Sequence, residues 1–269
     1  MTGTALADTP GMDSEATLPR PLIRIAGVAR TYAGGTEALR GIDLTVRQGE
    51  FFSLLGPSGC GKSTLLRLIA GLDAPSAGRI DWPQASHSLG FVFQEPTLMP
   101  WASVFDNVYL PLRLAGHRRR AVAARVEDAI ASVGLAGFAR AYPRQLSGGM
   151  RMRVSIARAM VIRPQVLLMD EPFAALDEIT RMRLNDDLLR LWADGGWTVI
   201  FVTHSVYESV YLSSRIAVMG ARPGRIRELV AIEAPYPRDE AFRTSATYNE
   251  YCRRTSAALR AAMGDQDIA

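Results

Sequence analysis

The sequence predicts an α/β fold in which a mostly parallel sheet is covered by helices on both faces. After Leu55, short apolar runs at 88–93, 165–169, 198–203 and 215–219 alternate with stretches of helical periodicity. Strands spaced by helices pair in parallel and bury both faces of their sheet. Between about 95 and 163 no apolar run of strand type breaks the helical rhythm, which marks a helical block inserted into the core.

The elements follow in order. Over 22–55 the runs R-I-A-G-V-A-R, A-L-R-G-I-D-L-T-V and F-F-S-L-L are split by turn signals at Gly34-Gly35 and Gln48-Gly49. They predict strands and an antiparallel β subdomain at the N-terminal end. An apolar helix follows over 64–70. In the inserted block Val122, Val126, Ala129, Ile130 and Val133 recur at helix spacing, with Gly134 where a C-terminal cap belongs. Leu184, Leu188, Leu191 and Trp192 share one face of a helix over 179–192. Beyond 235 the signals weaken, and a last helix is expected near 248–263. The expected organisation is a flexible tail at 1–21, one main domain at 22–235 with its helical subdomain at about 95–163, and a helical extension at 236–269.

Composition narrows the class of function. The 269 residues are 48 % hydrophobic and 22 % charged, with net charge +4 and a pI near 9.3. The positive charge is spread along the chain, whereas nucleic-acid binding asks for a concentrated basic stripe, so no nucleic-acid partner is expected. Of 31 cationic side chains, Lys62 is the single lysine. Arginine is a planar fork and lysine a compact point charge, so position 62 asks for the latter. Cys60 and Cys252 form no disulfide framework and lack metal-ligand companions, which fits a reduced compartment. No basic segment followed by an apolar run opens the chain, and no run of about 18 apolar residues could span a bilayer.

Gly56-Pro57-Ser58-Gly59-Cys60-Gly61-Lys62-Ser63 fits the phosphate-binding pattern G-x-x-x-x-G-K-[ST]. It follows the strand F-F-S-L-L and opens the helix that begins at Thr64, which is the context the pattern requires. The glycines let backbone N–H groups turn toward phosphate oxygens, and the helix N-terminus adds positive potential. Lys62 is expected at the β- and γ-phosphates of ATP and Ser63 on Mg²⁺. The apolar strand V-L-L-M ends in Asp170 and Glu171. A doubly covered strand tolerates charge only at its end, so Asp170 is expected to hold the Mg²⁺ shell and Glu171 to polarise a water. An aspartate there could also simply cap a helix, but two carboxylates before Pro172, in a chain with a phosphate loop, point to hydrolysis.

Leu146-Ser147-Gly148-Gly149-Met150 resembles the L-S-G-G-Q signature of the ABC ATPase family, continued by R-M-R-V-S-I-A-R-A-M. The resemblance covers about 23–230 and implies a P-loop NTPase fold with a RecA-like sheet. It further implies that Tyr32 stacks on adenine and that Gln94 touches Mg²⁺ and the attacking water. By the same likeness Ala175-Leu176-Asp177 forms the D-loop, and His204 contacts the γ-phosphate. Taken alone, His204 reads as a packed or capping histidine and Tyr32 as a strand aromatic; their spacing to the stronger motifs reverses both. In the family Ser147, Gly148 and Gly149 of one subunit close over the ATP held by the other. A second copy, a transmembrane permease and an extracytoplasmic solute-binding protein are therefore the expected partners, at the cytoplasmic face of the inner membrane. Met150 departs from the usual glutamine. Together with A-R-P-G-R-I from Ala221, it looks like the nitrate/sulfonate/taurine importer branch, with pyrimidine and vitamin-precursor importers similar. Non-transport ABC proteins are the rival class. Pro96, Leu98, Met99, Pro100, Trp101, Val104 and Phe105 are expected either to receive the permease or to pack the helical block.

Overall fold

The computed structural model describes residues 19–83 and 88–264; the tail expected at 1–21 lies almost wholly outside them. Strand β1 (Pro21–Thr31) pairs antiparallel with β2 (Glu37–Arg47). β3 (Phe51–Leu55) leaves for a second sheet and runs into α1 (Lys62–Ile69). The chain then returns through β4 (Ala77–Asp81), which pairs antiparallel with the free edge of β1. The result is a three-stranded sheet of order β2-β1-β4. β4 has no apolar pattern of its own, and its half-buried Ile80 is placed by pairing with Ile25.

The larger sheet takes β5 (Leu89–Val92), β6 (Val166–Asp170), β7 (Thr198–Thr203), β8 (Arg215–Gly220) and β9 (Arg225–Ala231). Among the described residues its order is β5-β6-β7-β3-β8-β9. All neighbouring pairs are parallel except β8 with β9. Strand side chains alternate between the two faces, and the core divides accordingly. Phe51, Leu55, Leu167, Met169, Val199 and Phe201 belong to a core shared by the helical block and the helices that follow β6 and β7. Phe52, Leu54, Val166, Leu168, Ile200 and Val202 pack toward α1 and the antiparallel sheet.

The block between β5 and β6 contains α2 (Val104–Leu114), α3 (Arg119–Ser132) and α4 (Gly148–Met160), with two 3₁₀ turns between α3 and α4. Buried Asn107 donates to the carbonyls of Met99, Ala102 and Ser103 at 3.2, 3.1 and 3.0 Å, which fixes the loop entering α2. Val104 and Phe105 face the interior of this block, whereas Trp101 is 77 % exposed. α5 (Glu178–Gly195) and α6 (Val206–Leu212) follow β6 and β7. After β9 come the short α7 (Glu240–Arg243) and α8 (Ala246–Met263), which packs on α6 and β8. No described helix is long and apolar enough to cross a membrane.

Because β3, β5, β6 and β7 run parallel, their carboxyl ends open onto one edge. In such sheets ligands bind at that edge.

Candidate nucleotide-binding and hydrolytic site

The phosphate loop leaves the fully buried β3 at Gly56 and ends at Gly61, the N-cap of α1, with φ +94°. A side chain at 61 would sit 2.6 Å from Leu39 and 2.9 Å from the Ala38 carbonyl, besides being strained there. Glycine has no side chain to cap the helix, and the first turn carries no acid. The leading N–H groups of α1 thus remain available to an anion. Lys62 is 4 % exposed; its Nζ donates to the Gly56 and Pro57 carbonyls at 2.8 and 3.0 Å. Ser58 and Gly59 are exposed on the loop and Pro57 is half-buried. Cys60 is fully buried, and its burial raises the thiol pKa. Its sulfur belongs to the core, so only its backbone lines the loop.

Asp170, the last residue of β6, accepts a hydrogen bond from Ser63 Oγ at 2.8 Å. Burial raises its pKa, and the Ser63 bond opposes the shift. The next residue turns sharply: Glu171 has φ +43° while its N–H still donates to the Val202 carbonyl at 3.0 Å. A non-glycine residue in this region costs about 1–3 kcal/mol and persists where surrounding structure enforces it. Here the turn brings the carboxylate back over the loop. Oε1 lies 3.3 Å from Lys62 Nζ and Oε2 lies 2.9 Å from His204 Nδ1. His204 itself is the first residue after β7. One carboxylate thus touches the phosphate-loop lysine and the histidine of a neighbouring strand end.

Gln94 stands exposed two positions beyond Val92, whose strand partner is Met169, and so belongs to the same edge. Tyr32, 39 % exposed at the turn after β1, places its hydroxyl 3.4 Å from Thr64 Oγ1. Arg30, held by Asp73 at 2.9 Å, lies 4.9 Å from the Tyr32 ring centroid and backs this aromatic platform. Lys62, Ser63, Thr64, Asp170, Glu171, His204, Gln94 and Tyr32 therefore share one end of the molecule.

Ser147, Gly148, Gly149 and Asp177 form a separate group. Ser147 Oγ caps α4 by accepting from Met150 N–H at 3.2 Å, and Asp177 Oδ1 caps α5 by accepting from Thr180 N–H at 2.9 Å. The two caps are neighbours: side chains added at Gly148 and Gly149 would meet Leu176 at 3.4 Å and Thr180 at 2.8 Å. Hydrogen bonds from Thr180 hold the Asp177 carboxyl below its usual range. Among the described residues no hydrogen bond or ion pair joins this group to Lys62, Ser63 or Asp170. Met150 packs its half-buried side chain against the core.

One contributor escaped the sequence reading. Gly224 in A-R-P-G-R-I exchanges backbone hydrogen bonds with the β2 edge, donating to Ala38 and accepting from Arg40, both at 3.0 Å. A Cβ there would lie 2.2 Å from the Cys60 carbonyl. The segment is a backstop for the phosphate loop. The glycine in that string was its only signal, and the contact depends on a closure remote in sequence.

The donor set fits Mg²⁺. Ser63 and Asp170 offer a hydroxyl and a carboxylate side by side. Among the described residues no group of three or more His, Cys, Asp or Glu could cage a metal. Mg²⁺ ordinarily takes one or two carboxylates and completes its shell with substrate phosphates and water.

Comparison with known proteins agrees with this geometry. Residues 39–174 match the family described as ABC transporter. An ABC transporter ATP-binding protein of Methanocaldococcus jannaschii is 49 % identical over 225 residues, covering 81 % of this chain and 82 % of that one. The aliphatic sulfonates import ATP-binding proteins SsuB of Bacillus licheniformis and Pseudomonas savastanoi pv. phaseolicola are 46 % and 48 % identical. These cover 79 % and 82 % of this chain and 83 % and 90 % of theirs. Among solved structures, cbiO1 of Clostridium perfringens, part of the ABC transporter complex cbiONQ, superposes with TM-score 0.72 at 29 % identity, covering 79 % of this chain and 89 % of that one. A dimeric post-hydrolysis ATP-binding cassette bound to ADP and Pi gives TM-score 0.69 at 31 % identity, covering 80 % and 100 %. The chain belongs to the ABC transporter family, among its ATP-binding proteins.

Proposed function

We propose that this chain hydrolyses ATP as the nucleotide-binding subunit of an ABC importer for a small anionic solute of the sulfonate type. The bridging position of Glu171 between Lys62 and His204 carries the hydrolytic reading. Lys62, Ser63, Thr64 and the backbone of 56–61 hold the ATP phosphates, and Tyr32 takes the adenine. Ser63, Asp170 and Gln94 hold Mg²⁺, which when bound neutralises phosphate charge. Glu171 orients a water and receives its proton as the water oxygen bonds the γ-phosphorus. The bond from that phosphorus to the ADP oxygen breaks, giving ADP and phosphate. His204 keeps Glu171 aimed and adds a donor to the γ-phosphate.

The capped group completes the site from a second copy, with Ser147, Gly148, Gly149 and Asp177 meeting the ATP of the partner. Exposed Trp101, beside Pro100, offers the permease a contact that buried Val104 and Phe105 do not. The subunit then sits peripherally at the cytoplasmic face of the inner membrane. The domain limits 22–235 and about 95–163, with the extension 236–269, follow the same reading. Sulfonate-type solute is supported by the likeness to the import proteins above.

Two experiments test this. Glu171→Gln should bind MgATP within about threefold of wild type and lose at least about a hundredfold in turnover, the size of a missing general base. Near-normal turnover would reject the assignment. Reconstituted with its permease, the complex should hydrolyse ATP faster when a solute-loaded external binding protein is added; transport without one would reject import.

A further inference from the structure

The hydrogen bonds around His204 form a ring. Thr203 Oγ1, in a residue 2 % exposed, donates to Glu208 Oε2 at 2.5 Å and accepts from Ser205 N–H at 2.9 Å. Ser205 Oγ accepts from Glu208 N–H at 3.3 Å. The backbone of His204 runs through this ring while its imidazole reaches Glu171 at 2.9 Å. Glu208 is 8 % exposed. Its second oxygen, Oε1, has no hydrogen-bond partner and faces Arg181 Nε, buried and likewise unpartnered, at 3.9 Å. The rest of that guanidinium is rooted elsewhere: Nη2 donates to the Leu176 carbonyl at 2.8 Å and Nη1 to Glu178 at 3.3 Å. Leu176 and Asp177 belong to the turn that leads from Glu171 into α5.

We propose that Arg181 and Glu208 are a positioning pair that registers the Leu176–Asp177 turn against His204 and so sets His204 on Glu171. The inference rests on reading Glu171 and His204 as hydrolytic residues. Arg181 Nε and Glu208 Oε1 are two buried polar atoms that face each other without a hydrogen bond, and each carries the desolvation cost of an unsatisfied group. The gap is about 1 Å longer than a charged hydrogen bond, so a shift of that size in the turn makes or breaks the contact. The consequence passes through Thr203 to the histidine. A turn placed beside Ser147 would in this way report a neighbouring copy to the hydrolytic residues.

The test is steady-state hydrolysis by the full chain carrying Glu208→Ala, Glu208→Gln or Arg181→Met, each alone and combined with His204→Ala. Glu208→Ala should lower kcat about tenfold and leave KM for ATP within about twofold, as expected for a misplaced group rather than a lost binding contact. Glu208→Gln keeps an acceptor for Thr203 and should lose only about threefold. Added to His204→Ala, Glu208→Ala should change residual turnover by less than about twofold, because it acts through the histidine. An equal loss in both backgrounds, or wild-type kcat in Glu208→Ala while His204→Ala is defective, overturns the pair alone. Full turnover in His204→Ala overturns the hydrolytic reading beneath it. If Glu208→Ala does not fold, Thr203→Val removes the ring bond with little change of shape and decides by the same criteria.

Discussion

The start of α1 and the starts of α4 and α5 are all helix N-termini beside glycine or a short polar residue, yet they are finished differently. At α1, Gly61 leaves the first turn uncapped, and the charges around it are half-buried to buried, Lys62 paired with Glu171 and Asp170 bonded to Ser63. At α4 and α5, Ser147 and Asp177 cap their own helices and stand exposed. A serine hydroxyl that accepts the capping bond still has its proton to donate. The first region is therefore organised from within one chain, and the second is stable alone while keeping a donor for something outside. That division is what a site shared between two copies asks for.

The sharpest way to break this comparison is complementation. Lys62→Arg replaces a point donor by a wide fork, and losing a charged contact to phosphate should weaken ATP binding at least about tenfold. Ser147→Arg blocks the outward face of α4. Each variant alone should be nearly inactive. Mixed dimers should regain turnover, because one of their two sites then unites an intact Lys62 with an intact Ser147. Mixtures no more active than the sum of the separate variants would return both groups to a single chain.

A smaller effect sharpens the account of the first region. Gly224→Ala forces a methyl group against the Cys60 carbonyl, and overpacking of that kind costs about 1–3 kcal/mol. It should raise the KM for ATP severalfold, whereas Gly137→Ala, with nothing within 4 Å, should be neutral. Equal KM values in the two variants would remove Gly224 from the loop's support.

The smallest effect concerns Cys60. Its sulfur faces the core, so Cys60→Ala should alter ATP binding less than about threefold, since the loop uses its backbone. Burial raises its pKa and pushes that of Cys252 up to about 11, which leaves little thiolate near neutral pH. Both should react slowly with thiol reagents in the native protein and quickly once it is denatured. Rapid native alkylation at Cys60 would place the sulfur on the loop surface instead.

What the sequence revealed and what it withheld follow a physical line. β3, β6 and β7 were legible because a strand covered on both faces must be an unbroken apolar run, and the phosphate loop because its backbone geometry demands glycine at set positions. β4 was not: A-G-R-I-D lies at an edge, mostly exposed, and is a strand only because β1 offers it a partner. Val104 and Phe105 could either have received a partner or packed the helical block, and folding puts them inside. Gly224, Arg181 and Glu208 were invisible for a related reason, since each matters through a contact made across the fold. Side-chain type was readable at Lys62, Asp170 and Glu171, but not the left-handed backbone at Glu171 that turns its carboxylate onto Lys62 and His204.

A single lysine, buried to 4 % exposure beneath the loop, has a practical consequence. Amine-directed chemistry finds no other ε-amino group on this protein. Dyes, cross-linkers and activated beads that normally decorate a surface at random should attach only at the N-terminal amine, in one orientation. Any second equivalent must come from Lys62. The ratio of the two labels would then act as a built-in gauge of how many sites are occupied by nucleotide, read from the protein with no engineered tag.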